Sequence, residues 1–346
     1  MAQCTLLNGY VGGKTPYVAK IESLFDYSCT KYVEPYAGGA LYFSLYNGRY
    51  TREWLNDLNS NITVLYKALA DGETRNETVK AILEIEKPDD KELAQRQFDE
   101  AKKQLLGKYY SINSLPKEQW IQPARNSFLT YSQSFNCAGK SYSASRSNEK
   151  YRWETEQNLK NGVERLAGIH LITRMDGVDV IKKIKGQAEV QLFCDPPYVG
   201  LYRRCAKLYE AEMPSLQEHI KLTQELADAK AAVVLCGYRA QDGIPTIYDA
   251  ILGEGWHCLK LADTFKQCEV VGKGEAKHSA QEFVWTNRIP KRAALYLSMK
   301  EYKETMSMAE YWKRIRMACL NKLVSEKHIR EYRWTYFKLY GKGLYD

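Results

Sequence analysis

The chain has 346 residues, of which 45% are hydrophobic and 27% charged, a composition typical of a globular protein and not of a disordered one. No apolar run reaches the length of a membrane span and the N-terminus does not read as a secretion signal, so we expect a cytoplasmic protein. The nine cysteines form no C-x-x-C pair and the five histidines show no ligand spacing, so we predict neither a disulfide framework nor a structural metal. A net charge of +8 permits an anionic partner.

The first part of the chain alternates short apolar segments with helical ones. The segment KYVEPYAGG predicts a strand that leads into a glycine turn, and ALYFSLYNG predicts a helix closed by Gly48. EWLNDLN predicts a second strand that ends in an acid, and NITVLYKALADG predicts the helix after it. This alternation of strand and helix indicates a parallel sheet.

The alternation stops between about residues 73 and 160, where the chain is polar and helix-rich. Strand-like runs return near residues 168, 190, 231, 256 and 282. We therefore predict one α/β domain formed by residues 1–66 and 167–290, an insertion at 67–166 and a helical extension at 291–346.

Residues 310–346 hold nine Lys or Arg against four Asp or Glu, together with eight aromatic side chains. Basic residues interleaved with rings can follow phosphates and stack on bases, which favours direct contact with nucleic acid. The spacing of four apolar residues also favours an amphipathic helix that docks on the core: Trp312, Ile315, Cys319 and Leu323. Both interpretations of this tail stay open at the level of sequence.

NGYVGGKT, at residues 8–15, is nearly a nucleotide-binding P-loop. Asn8 stands where that loop needs glycine, and the preceding AQCTLL is a poor buried strand, so the pattern argues against an NTPase. A glycine-rich turn that carries Lys14 can still approach the charged end of a ligand.

EPYAGGA, at residues 34–40, places Glu34 at a strand end before a glycine pair. Glycines at such a turn let backbone amides approach a cofactor. Asp57 follows 23 residues after Glu34, and an acid about 20 residues on binds ribose hydroxyls in α/β nucleotide sites. The alternative is an ordinary tight turn between a strand and a helix.

LFCDPPYVG, at residues 192–200, ends an apolar strand with Asp195, two prolines and a tyrosine. The prolines cannot extend the strand, so they fix the Asp195 carboxylate, the Pro196 carbonyl and what we expect to be an exposed Tyr198 ring. Two acceptors can receive both hydrogens of an exocyclic amine, and a flat ring can stack on the base that carries it. A strand-terminating turn with a packing tyrosine is the structural alternative.

In this order the segments resemble the D12 class of N6-adenine DNA methyltransferases, which includes the bacterial and phage Dam enzymes. GYVGGK is similar to the family's N-terminal KWAGGK, VEPYAGGALYF to its cofactor motif, LNDLN to its acidic motif and FCDPPYVG to its catalytic motif. VVLCGY and EFVWTN resemble its later strands. Tyr10 stands where the family has Trp, Gly9 where it has Lys, and SQSFNCAGKSYS only loosely matches the family's FNxPxG segment.

The resemblance implies a class I S-adenosylmethionine-dependent methyltransferase sheet, doubly wound and mostly parallel, with an inserted helical target-recognition domain and a basic C-terminal helical extension. It implies S-adenosyl-L-methionine as methyl donor and no metal. The catalytic residues it implies are Asp195, Pro196, Pro197 and Tyr198. The cofactor-binding residues it implies are Tyr10, Lys14, Glu34, Pro35, Tyr36, Ala37, Gly38, Asp57, Asp176 and Asp195.

The partner implied is double-stranded DNA, from which one adenine is flipped and methylated at N6. Candidate contacts in the insertion are Arg125, Asn126, Tyr131, Phe135, Asn136, Lys140 and Arg146, with the two aromatic residues as wedges between bases. We expect a monomer, encoded by a bacterium or phage, that acts alone or beside a cognate restriction endonuclease. Cytosine-N4 methylation, RNA adenine methylation and a catalytically silent DNA-binding module remain the alternatives.

Overall fold

The computed structural model of the protein describes residues 5–45, 48–86, 88–107, 110–146, 149–199, 211–213, 215–239, 244–265, 279–290, 299–302 and 306–346. Its strands are β1 (Lys31–Glu34), β2 (Arg52–Asn56), β3 (Leu171–Thr173), β4 (Val190–Cys194), β5 (Ala232–Tyr238), β6 (His257–Phe265), β7 (Ser279–Thr286) and β8 (Glu301–Tyr302). The α-helices are α1 (Val18–Ser23), α2 (Ser60–Ala70), α3 (Arg75–Leu83), α4 (Lys91–Lys103), α5 (Ile121–Ser132), α6 (Glu149–Leu166), α7 (Gly177–Ile184), α8 (Leu216–Ala227), α9 (Ile247–Ile251), α10 (Met308–Leu320) and α11 (Glu326–Tyr340). Within the ranges described, none of these helices is long and apolar enough to span a membrane.

This mixed α/β fold consists of two compact units. The first unit comprises Met1–Val18, Thr30–Val180 and Tyr209–Ala211. The second comprises Ala19–Cys29, Ile181–Leu208 and Glu212–Asp346.

The first unit contains the parallel sheet that the alternating segments predict. β1 pairs with β2 and β2 with β3, both in parallel, with Val33 opposite Trp54 and Leu55 opposite Ile172. Asn59 caps the N-terminus of helix α2, since its side chain accepts a hydrogen bond from the Asn61 amide and so satisfies one donor of the first turn. Parallel strands end at the same edge, so the residues that follow β1, β2 and β3 are brought together.

The helix expected over ALYFSLYNG is wrong, because the described residues of this segment, which omit 46 and 47, form a short 3-10 helix, Leu41–Ser44, and then turn extended. Leu45 already has an extended backbone, with ψ near 156°. Tyr42 and Phe43 are both buried and pack on different partners, the first on the Tyr32 ring and the second on the Tyr66 ring. Two successive rings directed at separate parts of the core are compatible with one tight turn, whereas a long helix would carry later residues away from both.

Helices α3 to α6 form most of the expected insertion and belong to the same compact unit as β1, β2 and β3. One buried ion pair ties the two parts of this unit, since Arg165 in α6 lies 3.1 Å from the Glu53 carboxylate in β2. The Tyr42 hydroxyl donates to Glu53 at 3.0 Å, and the Arg165 guanidinium lies over the Tyr42 ring. A separate recognition domain at residues 67–166 therefore stays a prediction.

The second unit combines parallel and antiparallel pairing. β4 and β5 are parallel, whereas β7 lies antiparallel between β5 and β6, and β8 pairs antiparallel with β6. The expected mostly parallel arrangement thus holds for β1 to β3 and for β4 with β5, and it fails for β6 to β8. β4 and β5 are buried along their whole length, as their apolar runs predict.

The C-terminal extension forms α10 and α11 in the second unit; its residues 291–298 and 303–305 lie outside the described part of the chain. Trp312, Ile315 and Cys319 are buried on one face of α10, as a docking helix requires. Leu323 is exposed, contrary to that expectation, because α10 ends at Leu320. Helix α11 packs beside α8, where the Glu331 carboxylate accepts the Leu216 amide at 2.7 Å.

Candidate functional site

Glu34, the last residue of β1, organises the glycine turn that follows it. Its carboxylate accepts the Leu41 amide at 2.8 Å, the Tyr42 amide at 3.2 Å and the Tyr32 hydroxyl at 3.1 Å. The side chain is 1% exposed. The sequence predicts that Glu34 holds a cofactor. In the structure its carboxylate also fixes the backbone of the turn, through the Leu41 and Tyr42 amides.

The glycine pair of this turn accommodates an aromatic ring. A Cβ on Gly38 would lie 2.9 Å from the Tyr10 ring, and one on Gly39 would lie 2.7 Å from the Tyr10 Cβ. Gly38 also has a positive φ of 49°, which side chains rarely adopt. The Tyr66 hydroxyl donates to the Gly38 carbonyl. The two glycines are therefore required by the close approach of Tyr10.

Asp57, directly after β2, connects this turn to the start of α2. One carboxylate oxygen accepts the Gly38 amide at 2.6 Å and the other accepts the Asn59 amide at 2.7 Å. Burial raises the pKa of Asp57 above its ordinary value, and the two amides oppose that shift. The residue remains partly accessible, so its carboxylate has lone pairs left for a ligand.

Asn56, which the sequence did not single out, joins the ends of three strands. Its side-chain amide donates to the Pro35 carbonyl at 2.8 Å and to the Met175 carbonyl at 3.0 Å. Its carbonyl oxygen accepts the Met175 amide at 2.9 Å and the Thr173 hydroxyl at 2.8 Å. Because its side-chain amide is fully hydrogen-bonded to residues that follow neighbouring strands, Asn56 acts as a positioning residue for this edge of the sheet. In the sequence, the one feature that points to it is its place directly before Asp57.

The remaining predicted cofactor residues of this edge lie around β1 and β3. The Ala37 backbone amide donates to the backbone carbonyl of Asn56 at 2.9 Å. Asp176 caps α7, since its carboxylate accepts the Val178 amide at 2.8 Å. The Tyr36 ring covers Gly177, where a Cβ would lie 2.4 Å from ring atoms. The structure thus groups Pro35, Tyr36 and Ala37 with Asp57 and Asp176 at one edge of the sheet.

Lys14 lies in the N-terminal glycine-rich loop of the same unit. Its ammonium donates to the Gly12 carbonyl and the residue is only 4% exposed. The loop also carries Tyr10, the ring of which lies against the glycine pair. The side-chain nitrogen of this largely buried lysine is thus held by the backbone of its own turn.

The Asp195–Tyr198 motif lies in the second unit, directly after the buried strand β4. Asp195 and Pro197 are partly accessible, whereas Pro196 is buried. Tyr198 was expected to be exposed, and it is only 8% exposed, because Tyr238 at the end of β5 packs edge-on against it with ring centroids 4.6 Å apart. The strand, the elbow and the ring are thus held by the neighbouring strand.

Burial raises the pKa of the Tyr198 hydroxyl well above its ordinary value, and the nearby Asp195 and Glu282 carboxylates raise it further. The phenol therefore stays neutral across the physiological range. A neutral ring beside Asp195 adds no second negative charge to the motif.

Two predicted DNA contacts in the insertion are core residues. Tyr131 is 3% exposed and its hydroxyl accepts from the Asn59 amide nitrogen at 2.6 Å, and its ring packs on Gly139. Asn126 is 1% exposed and is bonded to Gln104 at 3.0 Å. In this conformation neither side chain can reach a base, so the assignment of Tyr131 as a wedge does not fit the fold.

The other predicted contacts are accessible. Phe135 is 60% exposed and Lys140 is also exposed, while Arg125 and Asn136 are partly accessible. Arg146 donates to the Asn8 carbonyl at 2.9 Å, and its guanidinium lies against Gly9, which has a φ of 70°. Arg146 therefore links the insertion to the loop that carries Tyr10 and Lys14. The described residues hold no group of three His, Cys, Asp or Glu side chains suited to a metal ion.

Comparison with known proteins covers most of these residues. The model of the D12 class N6 adenine-specific DNA methyltransferase family matches residues 10–242, a span that includes Tyr10, Gly38, Asp57 and Asp195. A similar protein is the Type II methyltransferase M.CviBI of Paramecium bursaria Chlorella virus NC1A, 31% identical over 64 residues. That alignment covers 18% of this chain and 25% of the relative. Because the family model matches more than half of the sequence, the chain belongs to the D12 class of N6 adenine-specific DNA methyltransferases.

Proposed function

We propose that this protein transfers a methyl group from S-adenosyl-L-methionine to N6 of an adenine flipped out of double-stranded DNA. The observation that carries the proposal is the Asp195-Pro196-Pro197-Tyr198 motif, which directly follows the buried strand β4 within the span matched by the family. A strand end with a fixed carboxylate, a fixed carbonyl and a neutral ring is suited to an aromatic amine.

The residues of the first unit fit the proposed cofactor by the chemistry of their side chains. Asp57 offers carboxylate oxygens to a ribose diol, and the buried Lys14 ammonium suits the carboxylate of an amino acid. The Tyr10 ring lies against the Gly38–Gly39 turn, and the Tyr36 ring lies against Gly177. When bound, the cofactor supplies an electrophilic methyl group on a sulfonium, and Glu34 and Asn56 act here as positioning residues.

Asp195 and the Pro196 carbonyl accept the two hydrogens of the adenine amine in this proposal. With its hydrogens held by both acceptors, the amine nitrogen would have its lone pair available to form the new N–C bond as the methyl group leaves the sulfonium. The Asp195 carboxylate would accept the proton that the nitrogen then loses. Pro196 and Pro197 hold this geometry because each proline fixes its φ. Tyr198 supplies the apolar ring against which the base rests, and its raised pKa keeps it uncharged.

The proposed function is tested with Asp195→Asn and Asp195→Ala on a plasmid substrate. Single-molecule sequencing of the DNA reads the modified base, its position and its context. We expect wild-type protein to yield N6-methyladenine, and both variants to lose transfer mainly in kcat while cofactor affinity stays within a few fold. Asp228→Asn, an exposed aspartate in the same unit, is the matched control and should methylate normally.

Three outcomes would contradict the proposal. Methyl groups found on cytosine N4 or on RNA would show that the substrate is not adenine in DNA. Near wild-type transfer by Asp195→Ala would show that the motif does not take part in the reaction. Specific DNA binding without any transfer would leave a silent binding module.

A further inference from the structure

Helix α11 carries a basic and aromatic stripe along the face that it does not bury. Its inner face holds Tyr332 and Thr335, both at most 1% exposed. The opposite face carries five exposed residues within about a third of the helix circumference, at spacings of three, four, three and one residues: Lys327, Arg330, Trp334, Phe337 and Lys338. We call these five residues the α11 stripe.

The aromatic part of the α11 stripe is unusually exposed for its size. Trp334 is 56% exposed and Phe337 is 50% exposed, and their rings lie nearly parallel with centroids 6.4 Å apart. The Lys338 ammonium lies over the Trp334 ring at 4.5 Å. Two adjacent large rings held on a surface by a cation are typical of binding sites and not of a solvated helix face.

The charges of α11 are segregated in favour of this face. Glu331 turns away from the stripe, because its carboxylate bonds the Leu216 amide at 2.7 Å. Glu326 lies in the first turn, at one end of the helix. The three cations of the stripe lie within the twelve residues from Lys327 to Lys338. This is about 16 Å of helix, which spans roughly five phosphates of one DNA strand.

We propose that the α11 stripe binds the phosphate backbone of the duplex DNA substrate. This inference rests on the proposed function. It concerns a segment that lies outside residues 10–242, the span that the family model matches. Lys327, Arg330 and Lys338 contact phosphates, while Trp334 and Phe337 pack on the deoxyriboses between them. The burial of α10 and of the inner face of α11 shows that the tail docks on its unit, and in this proposal its outer face also binds DNA.

The test is the triple variant Lys327→Gln, Arg330→Gln, Lys338→Gln in the full chain. Fluorescence anisotropy with a 30-base-pair duplex, about the length needed to extend past the target, gives the salt dependence of binding. Each lost phosphate contact lowers the slope of log K against log salt by about 0.9, so we expect a drop of about 2 to 3. Trp334→Ala should weaken binding severalfold at an unchanged slope, because it removes no charge.

The matched control removes three exposed lysines of the same unit, Lys183→Gln, Lys221→Gln and Lys230→Gln, and should leave the slope unchanged. Equal slopes for wild type and the stripe variant, or an equal drop in the control, overturn the proposal. So does a Trp334→Ala variant that converts a dimer to a monomer by sedimentation while it binds DNA as before, since the stripe is then a self-association face.

Methyl transfer at saturating DNA separates this inference from the proposed function. We expect the stripe variant to retain wild-type kcat. If wild type methylates adenine and the slopes agree, only the stripe proposal fails. If wild type binds DNA through the stripe but methylates no adenine, only the proposed function fails.

Discussion

Asn56 and Met175 exchange two hydrogen bonds, since the Asn56 amide nitrogen donates to the Met175 carbonyl at 3.0 Å and the Asn56 oxygen accepts the Met175 amide at 2.9 Å. This side chain thus imitates one more residue pair of a sheet just beyond the ends of β2 and β3. The edge at which Asp57 and Asp176 lie depends on it.

Asn56→Ala should therefore destabilise the protein by about 1–3 kcal/mol, because buried backbone groups of Pro35 and Met175 would lose their partner. Urea denaturation measures this change. Asn113→Ala, at an exposed asparagine that accepts from Lys67 at 3.0 Å, is the control and should change stability by less than about 0.5 kcal/mol. Equal effects of the two variants would remove the special role of Asn56.

Gly39→Ala should cost about 1–3 kcal/mol, since the new Cβ would lie 2.7 Å from the Tyr10 Cβ. In a Tyr10→Ala background the same change should cost clearly less, and the double-mutant cycle gives the coupling between the two positions. Gly72→Ala, where no atom lies within 4 Å of the Cβ position, should be nearly neutral. Additive effects of Gly39→Ala and Tyr10→Ala would contradict the close approach.

The pKa of Asp57 is raised by burial, which fixes the sign of its contribution to stability. The folded state binds a proton more tightly than the unfolded state, so the contribution is present below pH 3.8, the ordinary pKa, and is lost as the pH rises through the folded pKa. The stability of Asp57→Asn relative to wild type should accordingly increase as the pH rises from about 3 to 7. If the stability of Asp57→Asn relative to wild type decreased over this pH range, the pKa of Asp57 in the folded state would be lowered instead.

Tyr131→Ala should destabilise the first unit by about 3–5 kcal/mol, because it empties a core position and removes the acceptor of the Asn59 side-chain nitrogen. Phe135→Ala, at an exposed ring four residues later, should change stability by less than about 0.5 kcal/mol and should weaken DNA binding. Thermal denaturation together with DNA titration distinguishes the two. The structural assignment fails if Phe135→Ala is the variant that unfolds.

Tyr198→Phe should retain most methyl transfer, because the phenol is neutral and, in the proposed function, the ring supplies the contact with the base. Its rate profile between about pH 6 and 9 should coincide with that of wild type. Tyr198→Ala should lose methyl transfer. It should also weaken the binding of an extruded base, with or without cofactor, by about 1–3 kcal/mol, the contribution of one aromatic ring. A rate that falls with loss of the hydroxyl alone would indicate proton transfer by Tyr198.

The strands were predictable because each apolar run ends at an acid or a turn, and β1, β2, β4 and β5 all occur where these runs lie. The direction of β6 and β7 was not, since orientation depends on which strand a segment pairs with. The role of Asn56 was hidden for a related reason, because its partner Met175 lies 119 residues away. The burial of Tyr131 was not predicted because α5 buries small polar residues, such as Ser127 and Thr130, together with its apolar ones.

The ring of Tyr10 fills the volume that side chains at positions 38 and 39 would need. Substitutions at positions 10, 38 and 39 are therefore expected to be coupled. In related sequences, a side chain at position 38 or 39 should appear together with a smaller residue at position 10, and a large ring at position 10 should appear only with the glycine pair. Alignment of relatives would reveal this as covariation between two segments far apart in the chain.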